Sequence, residues 1–356
     1  MRIHALATVM VGVVVGTLST SAHRNESGSD DARSLRADAI ARAQVWTPTD
    51  IPAVDIRTGP GGRRAFAFRE TVTCDYVDKD LAGRSPKFAC ASAGDDLKVK
   101  FGGDNAEVYA EVAATRLLWA LGFGADRMYP VRVICRSCPE VLPGVLRSDG
   151  SKLFDPAAIE RKMPGKEFKP DSRWAWVELD QVQEARGGAP AAHRDALKLL
   201  AVFVQHTDSK PEQQRIVCRE DDARTATTCT QPFMMINDVG LTFGGTSLAN
   251  ANSKAMNLAA WAASPIWKNE SGCVGNLSRS ATGTLKDPVI GEPGRAFLAT
   301  LLTQLSDDQI AAVFEVSRVT LRLRNPEDVR SRFATVAEWV SVFKRKRAEI
   351  VDKRCG

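Results

Sequence analysis

From Ile51 to Phe101 short apolar segments alternate with Gly, Pro and Asp punctuation, and the hydrophobic period is two. The strands this predicts are Ala65-Phe66-Ala67-Phe68, Val72-Thr73-Cys74, Lys87-Phe88-Ala89-Cys90 and Leu97-Lys98-Val99-Lys100-Phe101. The period then changes. Glu107 to Leu121 contains neither Gly nor Pro, and Val108, Val112, Leu117, Leu118 and Leu121 give a broad apolar face, which predicts a helix stopped by Gly122. Met128 to Ile134 is strand-like again. After that the pattern is mostly helical. Ala191 to Gln205 is apolar nearly all round in its later turns, as a core helix is. Pro293 to Leu305 is another helix. Ser306-Asp307-Asp308-Gln309 makes a capping box for a helix through Val319, and the last helix runs from Ala334 to Val351.

These elements predict an α+β fold of two lobes: a small antiparallel sheet with one helix over 51–134, then a larger, mainly helical lobe over 135–356. A ligand cleft is expected between them. Residues 23–50, charged around Glu26-Ser27-Gly28-Ser29-Asp30-Asp31, read as a polar linker.

The N-terminus adds an address. A basic start, an uncharged apolar stretch from Ala5 to Leu18 and the small residues Ser19 to Ala22 have the layout of a secretory signal peptide, residues 1–22, cleaved near Ala22. The apolar part is short for a membrane span, so no stable insertion is expected after cleavage; an uncleaved anchor is the alternative. The eight cysteines agree with a secreted or periplasmic protein. Sequence proximity pairs Cys74 with Cys90, Cys135 with Cys138 and Cys218 with Cys229, leaving Cys273 for Cys355. Zinc at Cys135-Arg136-Ser137-Cys138 lacks a second ligand pair. The net charge of +5 is dispersed along the chain, which argues against a nucleic-acid partner.

Four separated pieces carry candidate chemistry: Lys100 at a strand end, Glu111 in the helix of the small lobe, the turn His206-Thr207-Asp208-Ser209-Lys210-Pro211-Glu212-Gln213, and Asp238-Val239-Gly240 after an apolar segment. Phosphoryl transfer needs these types in this order. A strand lysine holds phosphates and is itself held by a helix glutamate; a loop aspartate orients the attacking hydroxyl; a loop amide and a second acid bind metal. Lys100 and Glu111 each have a competitor: Lys98 lies on the same strand face, but Lys100 is preferred because it sits at the strand end, and Glu107 lies one turn before the favoured Glu111.

The chain resembles the protein-kinase-like phosphotransferases over roughly Ile51 to Val319. His206, Asp208, Lys210, Pro211 and Glu212 match the catalytic loop H-R-D-L-K-P-E-N, and Asp238-Val239-Gly240 corresponds to D-F-G. Lys100-Phe101, Glu111 and Leu117-Leu118-Trp119-Ala120-Leu121-Gly122 are similar to the atypical kinases of the HipA type. The resemblance implies ATP and Mg2+ (or Mn2+) as cofactors and an unknown hydroxyl-bearing protein or small molecule as acceptor. In it, Lys100 and Glu111 bind the nucleotide, Asp208 is the base, Lys210 neutralises the transferring phosphate, and Asp238 and Gln213 hold metal. Gln213 stands where the family has asparagine, and Thr58-Gly59-Pro60-Gly61-Gly62 is a loose substitute for its glycine loop. A non-catalytic binding or scaffold protein outside the cytoplasm is the alternative.

Overall fold

A computed structural model describes residues 20–62, 64–219 and 229–356. The first half is built on strands β1 (Thr71–Val77), β2 (Lys87–Ser92), β3 (Asp95–Phe101), β4 (Arg127–Arg136), β5 (Val145–Leu146) and β6 (Lys152–Arg161). Their order is β3-β2-β1-β4-β6-β5, and β3 also pairs with β6, so five strands close into a barrel with β5 added on β6. The expected small antiparallel sheet is therefore corrected in two respects. It is closed, and β1 runs parallel to β4, with Thr71 opposite Arg132. A parallel neighbour needs a crossover, which β2, β3 and helix α2 (Glu107–Ala120) supply.

Alternation sorts the barrel side chains. Leu97, Val99 and Phe101 point inward with Phe88, Phe154 and Ile159, and Phe154 lies 4.8 Å from Phe88 and 4.9 Å from Phe101 between ring centroids. Lys98 and Lys100 consequently face outward. Helix α2 covers that outer face, where Val108 and Val112 pack with Met128, Ala158 and Val316.

The second half holds helices α3 (Ala191–Phe203), α4 (Leu258–Ala263), α5 (Glu292–Thr303), α6 (Asp307–Val316) and α7 (Val336–Asp352), with a short sheet of β7 (Lys166–Glu167), β8 (Gln214–Cys218) and β9 (Pro232–Ile236). Ser306 and Gln309 form the expected capping box on α6. Trp261, Phe314 and Trp339 make an aromatic centre, with Phe314 stacked on Trp339 at 5.2 Å.

Three further expectations are revised. Ala65 to Phe68 is not a strand; Phe66 lies edge-on to Tyr129 and beneath the Arg161 guanidinium. The sheet lobe runs past residue 134, because β6 closes the barrel as far as Arg161. The stretch read as a linker contains helix α1 (Thr20–Arg42), whose end buries Ala39 and Ile40 in the largest core cluster, together with α2 and α3. The expected signal segment lies outside the described residues up to Ser19, and Ala22 falls within α1. Among the described residues no helix is long and apolar enough to cross a membrane.

All eight cysteines are paired as Cys74–Cys90, Cys135–Cys138, Cys218–Cys229 and Cys273–Cys355. Four disulfides are the usage of an oxidising, extracellular type of environment.

Candidate active site

Lys100 stands near the end of β3 on the outward face. Its ammonium is buried, donating to Glu107 Oε2 at 2.7 Å and to Glu111 Oε1. The two acids are four residues apart on α2, so one helix face presents both, and the lysine uses both candidate partners. The competing lysine is engaged elsewhere. Lys98 pairs with Glu160 Oε2 at 2.5 Å, directly across from it on β6.

Asp238 joins this cluster from just beyond β9. Its Oδ1 accepts from the Gly240 N–H at 3.0 Å. A Cβ on Gly240 would stand 2.6 Å from Glu107 Cγ, so the glycine is what lets this turn close on α2. Burial works to raise the pKa of Asp238, but the Lys100 ammonium and the Gly240 N–H hold it well below the usual carboxylate range. Burial also opposes charge on Lys100, yet Glu111, Asp238 and Glu107 together raise its pKa well above the ordinary value. Glu111 is pushed up by burial and by Asp238 and Glu107, against the pull of Lys100, and its Oε2 is buried without a partner. One ammonium thus faces three carboxyl groups.

The second half of the site begins where α3 ends. Gln205 takes a left-handed conformation (φ 54°), and the His206 N–H returns to the Ala201 carbonyl at 2.8 Å. The His206 imidazole is buried with neither ring nitrogen partnered, and burial lowers its pKa to about 4 although Asp208 and Asp238 both oppose this. It is a neutral packing group, 6.0 Å from the Trp176 ring centroid, lying in the field of both acids.

Asp208 is held by four donors. Lys210 Nζ and Gln213 Nε2 donate to Oδ2 at 3.1 and 2.9 Å, and Asn250 Nδ2 and Ser280 Oγ donate to Oδ1 at 3.1 and 3.5 Å. Asn250 lies on a loop whose next anchor is Asn252. That residue donates to Asn105 Oδ1 at 3.0 Å and accepts from the Ala106 N–H at the start of α2. The turn ends in the 3-10 segment Pro211–Gln213, and β8 begins at once with Gln214 opposite Ile236. The Asn237 N–H donates to the Gln213 carbonyl at 2.9 Å, so 208–213 and 237–240 lie at the same end of the β8–β9 ladder. Cys218–Cys229 staples the other end.

The sequence reading did not include Asn250, Ser280 or Ser85. The Ser85 hydroxyl, in the β1–β2 turn, donates to Glu107 Oε2 at 2.7 Å. This turn, with Gly83 at φ 92°, touches the Lys100 cluster. Thr58 instead binds Asp55, and Gly59 to Gly62 lie against Arg116, Arg127 and Tyr129, whose hydroxyl donates to the Pro60 carbonyl at 2.7 Å. Lone polar residues in loops give no sequence pattern; for the turn, the only signal was Gly83 between two strands.

Among the described residues no group of three or more His, Cys, Asp or Glu side chains is arranged to cage a metal. Magnesium held by one or two side chains and substrate phosphates does not require one. The ionised Asp238 is a carboxylate of the kind that suits a divalent cation.

No protein-family model matches this chain, and no curated protein matches it in sequence. Among solved structures it is similar to the crystal structure of a Helicobacter pylori proinflammatory kinase, CtkA, with 10% identity and a TM-score of 0.42 over 80% of this chain and 96% of that one.

Proposed function

We propose that the protein transfers a phosphoryl group from a nucleoside triphosphate, ATP being the donor its sequence resemblance implies, to a hydroxyl on a protein or small molecule outside the cytoplasm. The observation that carries this reading is the buried cluster of Lys100, Glu107, Glu111 and Asp238, one strand cation and one loop acid locked by a single helix. Preorganised charge of this kind is what phosphoryl transfer demands, because positioning and electrostatics supply most of its catalysis.

In this reading Lys100 binds phosphate oxygens, and Glu111 with Glu107 fixes its ammonium in place. Asp208, oriented through Gln213 and Asn250, receives the proton of the attacking hydroxyl. Lys210, 3.1 Å from Asp208, offsets charge on the group in flight. Asp238 and the Gln213 amide oxygen would hold magnesium or manganese, which when bound neutralises charge on the phosphates. Gln213 already donates its amide nitrogen to Asp208, so its extra methylene relative to asparagine is taken up within the turn.

The test is transfer from γ-labelled ATP and GTP with magnesium to candidate acceptors or to the protein itself, using oxidised protein. Transfer should be present in the parent and lost in Lys100→Ala and Asp238→Ala. Equal labelling of parent and both variants would refute the assignment. The alternative, a binding or scaffold protein, predicts no nucleotide-dependent rise in melting temperature.

A further inference from the structure

Strand β4 runs out into Cys135-Arg136-Ser137-Cys138, whose two cysteines are bonded to each other. Their sequence separation is 3, against 16, 11 and 82 for the other pairs. A cross-link over so short a loop removes the least freedom from the unfolded chain, so stapling the fold is not what sets this pair apart. The two sulfurs also differ in access. Cys135 is buried in the barrel interior, whereas Cys138 is partly exposed and follows the exposed Arg136 and Ser137. The chain beyond Cys138 is held by the Lys152 ammonium, which donates to the carbonyls of Pro139, Glu140 and Leu142 at 3.0, 2.9 and 2.8 Å.

Inside the barrel Cys135 has another cysteine beside it. It lies opposite Cys74 in the parallel β1–β4 register, and both belong to the same buried cluster. Neighbouring strands are about 4.8 Å apart and a disulfide spans Cα separations of about 4.4–6.8 Å, so a Cys74–Cys135 bond fits the sheet as it stands. Cys74 is in turn bonded to Cys90 on β2. From the partly exposed Cys138 a line of sulfurs thus leads inward through Cys135 and Cys74 to Cys90.

We propose that Cys138 is a thiol–disulfide exchange site for a small external thiol, and that Cys135 passes the exchange inward to Cys74. In the first step the external thiolate attacks Cys138 Sγ; a mixed disulfide forms, the Cys135–Cys138 bond breaks and Cys135 leaves as a thiolate. Cys135 then attacks Cys74 Sγ; the Cys74–Cys135 bond forms and Cys90 leaves with the electron pair. A second external thiolate attacks the external sulfur of the mixed disulfide and releases Cys138. Two external thiols are oxidised to one disulfide, their two protons end on Cys90 and Cys138, and the protein holds one disulfide fewer. The transfer replaces a tie between β1 and β2 by one between β1 and β4. The turn between β1 and β2 is the one whose Ser85 donates to Glu107.

The experiment exposes the full-length oxidised protein to reduced glutathione, quenches with acid, alkylates free thiols and maps the disulfide-linked peptides by mass spectrometry. A glutathione adduct is expected on Cys138, and a Cys74–Cys135 peptide, absent before treatment, should appear together with alkylated Cys90. Cys138→Ser isolates the second step and opens only the shortest loop: without added thiol, its alkylation should divide between Cys135 and Cys90. Cys135→Ser should take glutathione at Cys138 and keep Cys74–Cys90 intact. A treated parent without an adduct on Cys138 overturns the exchange site. Absence of the Cys74–Cys135 peptide from the treated parent overturns the inward step, and alkylation confined to Cys135 in Cys138→Ser does the same.

Discussion

Asp126 is a carboxyl held away from water, and the cost of that placement can be measured. Burial raises its pKa to about 7, with Glu160 adding to the shift, while the Met163 N–H works against it. The ordinary value is 3.8. A difference of about 3 pH units corresponds to about 4 kcal/mol. The sign follows from proton counting. Between pH 3.8 and about 7 the folded state holds a proton that the unfolded chain has released, so this stabilisation is full below the lower value and is lost as pH rises through the upper one. Asp126→Asn keeps the oxygen that accepts from Met163 and removes the titration. Urea unfolding of both proteins from pH 4 to pH 8 should show the variant gaining on the parent by about 2–4 kcal/mol across that interval. A stability difference that stays flat over this range would show that Asp126 does not titrate there and is open to water.

Other perturbations reach other parts of the molecule. Lys100→Met strips three carboxyl groups of their buried cation and should cost about 3–5 kcal/mol in chemical denaturation; adding Glu111→Gln should recover part of the loss, and strict additivity would contradict the pairing. Replacing both Cys273 and Cys355 by serine opens a loop with a sequence separation of 82 and should lower stability by up to about 4–5 kcal/mol, seen as a reduced melting temperature under non-reducing conditions. Gly165→Ala meets both the positive-φ backbone and the Cys218 carbonyl and should destabilise by about 1–3 kcal/mol, read by urea midpoint. Gln213→Asn loses the 2.9 Å bond to Asp208; a cost of about 1 kcal/mol, read by urea midpoint, is expected.

The parts legible in the sequence were those with local period. Val108 and Val112 announced α2, and the Ser306–Gln309 box announced α6. Lys100 and Glu111 were legible through a strand end and a helix face. Barrel closure was not, because it depends on β3 meeting β6 across more than fifty residues and leaves no local mark. Strand β6 was hidden by Asp155-Pro156, which reads as a break, although Phe154, Ala157 and Ile159 fill the interior. Helix α1 escaped because its sequence is mostly polar and, among its described side chains, only those of the last turn are buried. The phenylalanines at 66 and 68 imitate a strand while forming a loop. In the site, the sequence favoured Glu111 over Glu107, and both reach the same ammonium.

The loop carrying Asn250 and Asn252 ties two places together. Asn250 fills one oxygen of Asp208, where in the proposed reading an acceptor hydroxyl arrives, and Asn252, two residues on, grips the start of the helix that bears Glu107 and Glu111. If an acceptor that displaces the first contact also shifts the second, occupancy at one end changes the free energy of the loop at the other. Thermodynamic linkage then fixes a symmetry: whatever factor the acceptor applies to nucleotide affinity, the nucleotide applies to acceptor affinity.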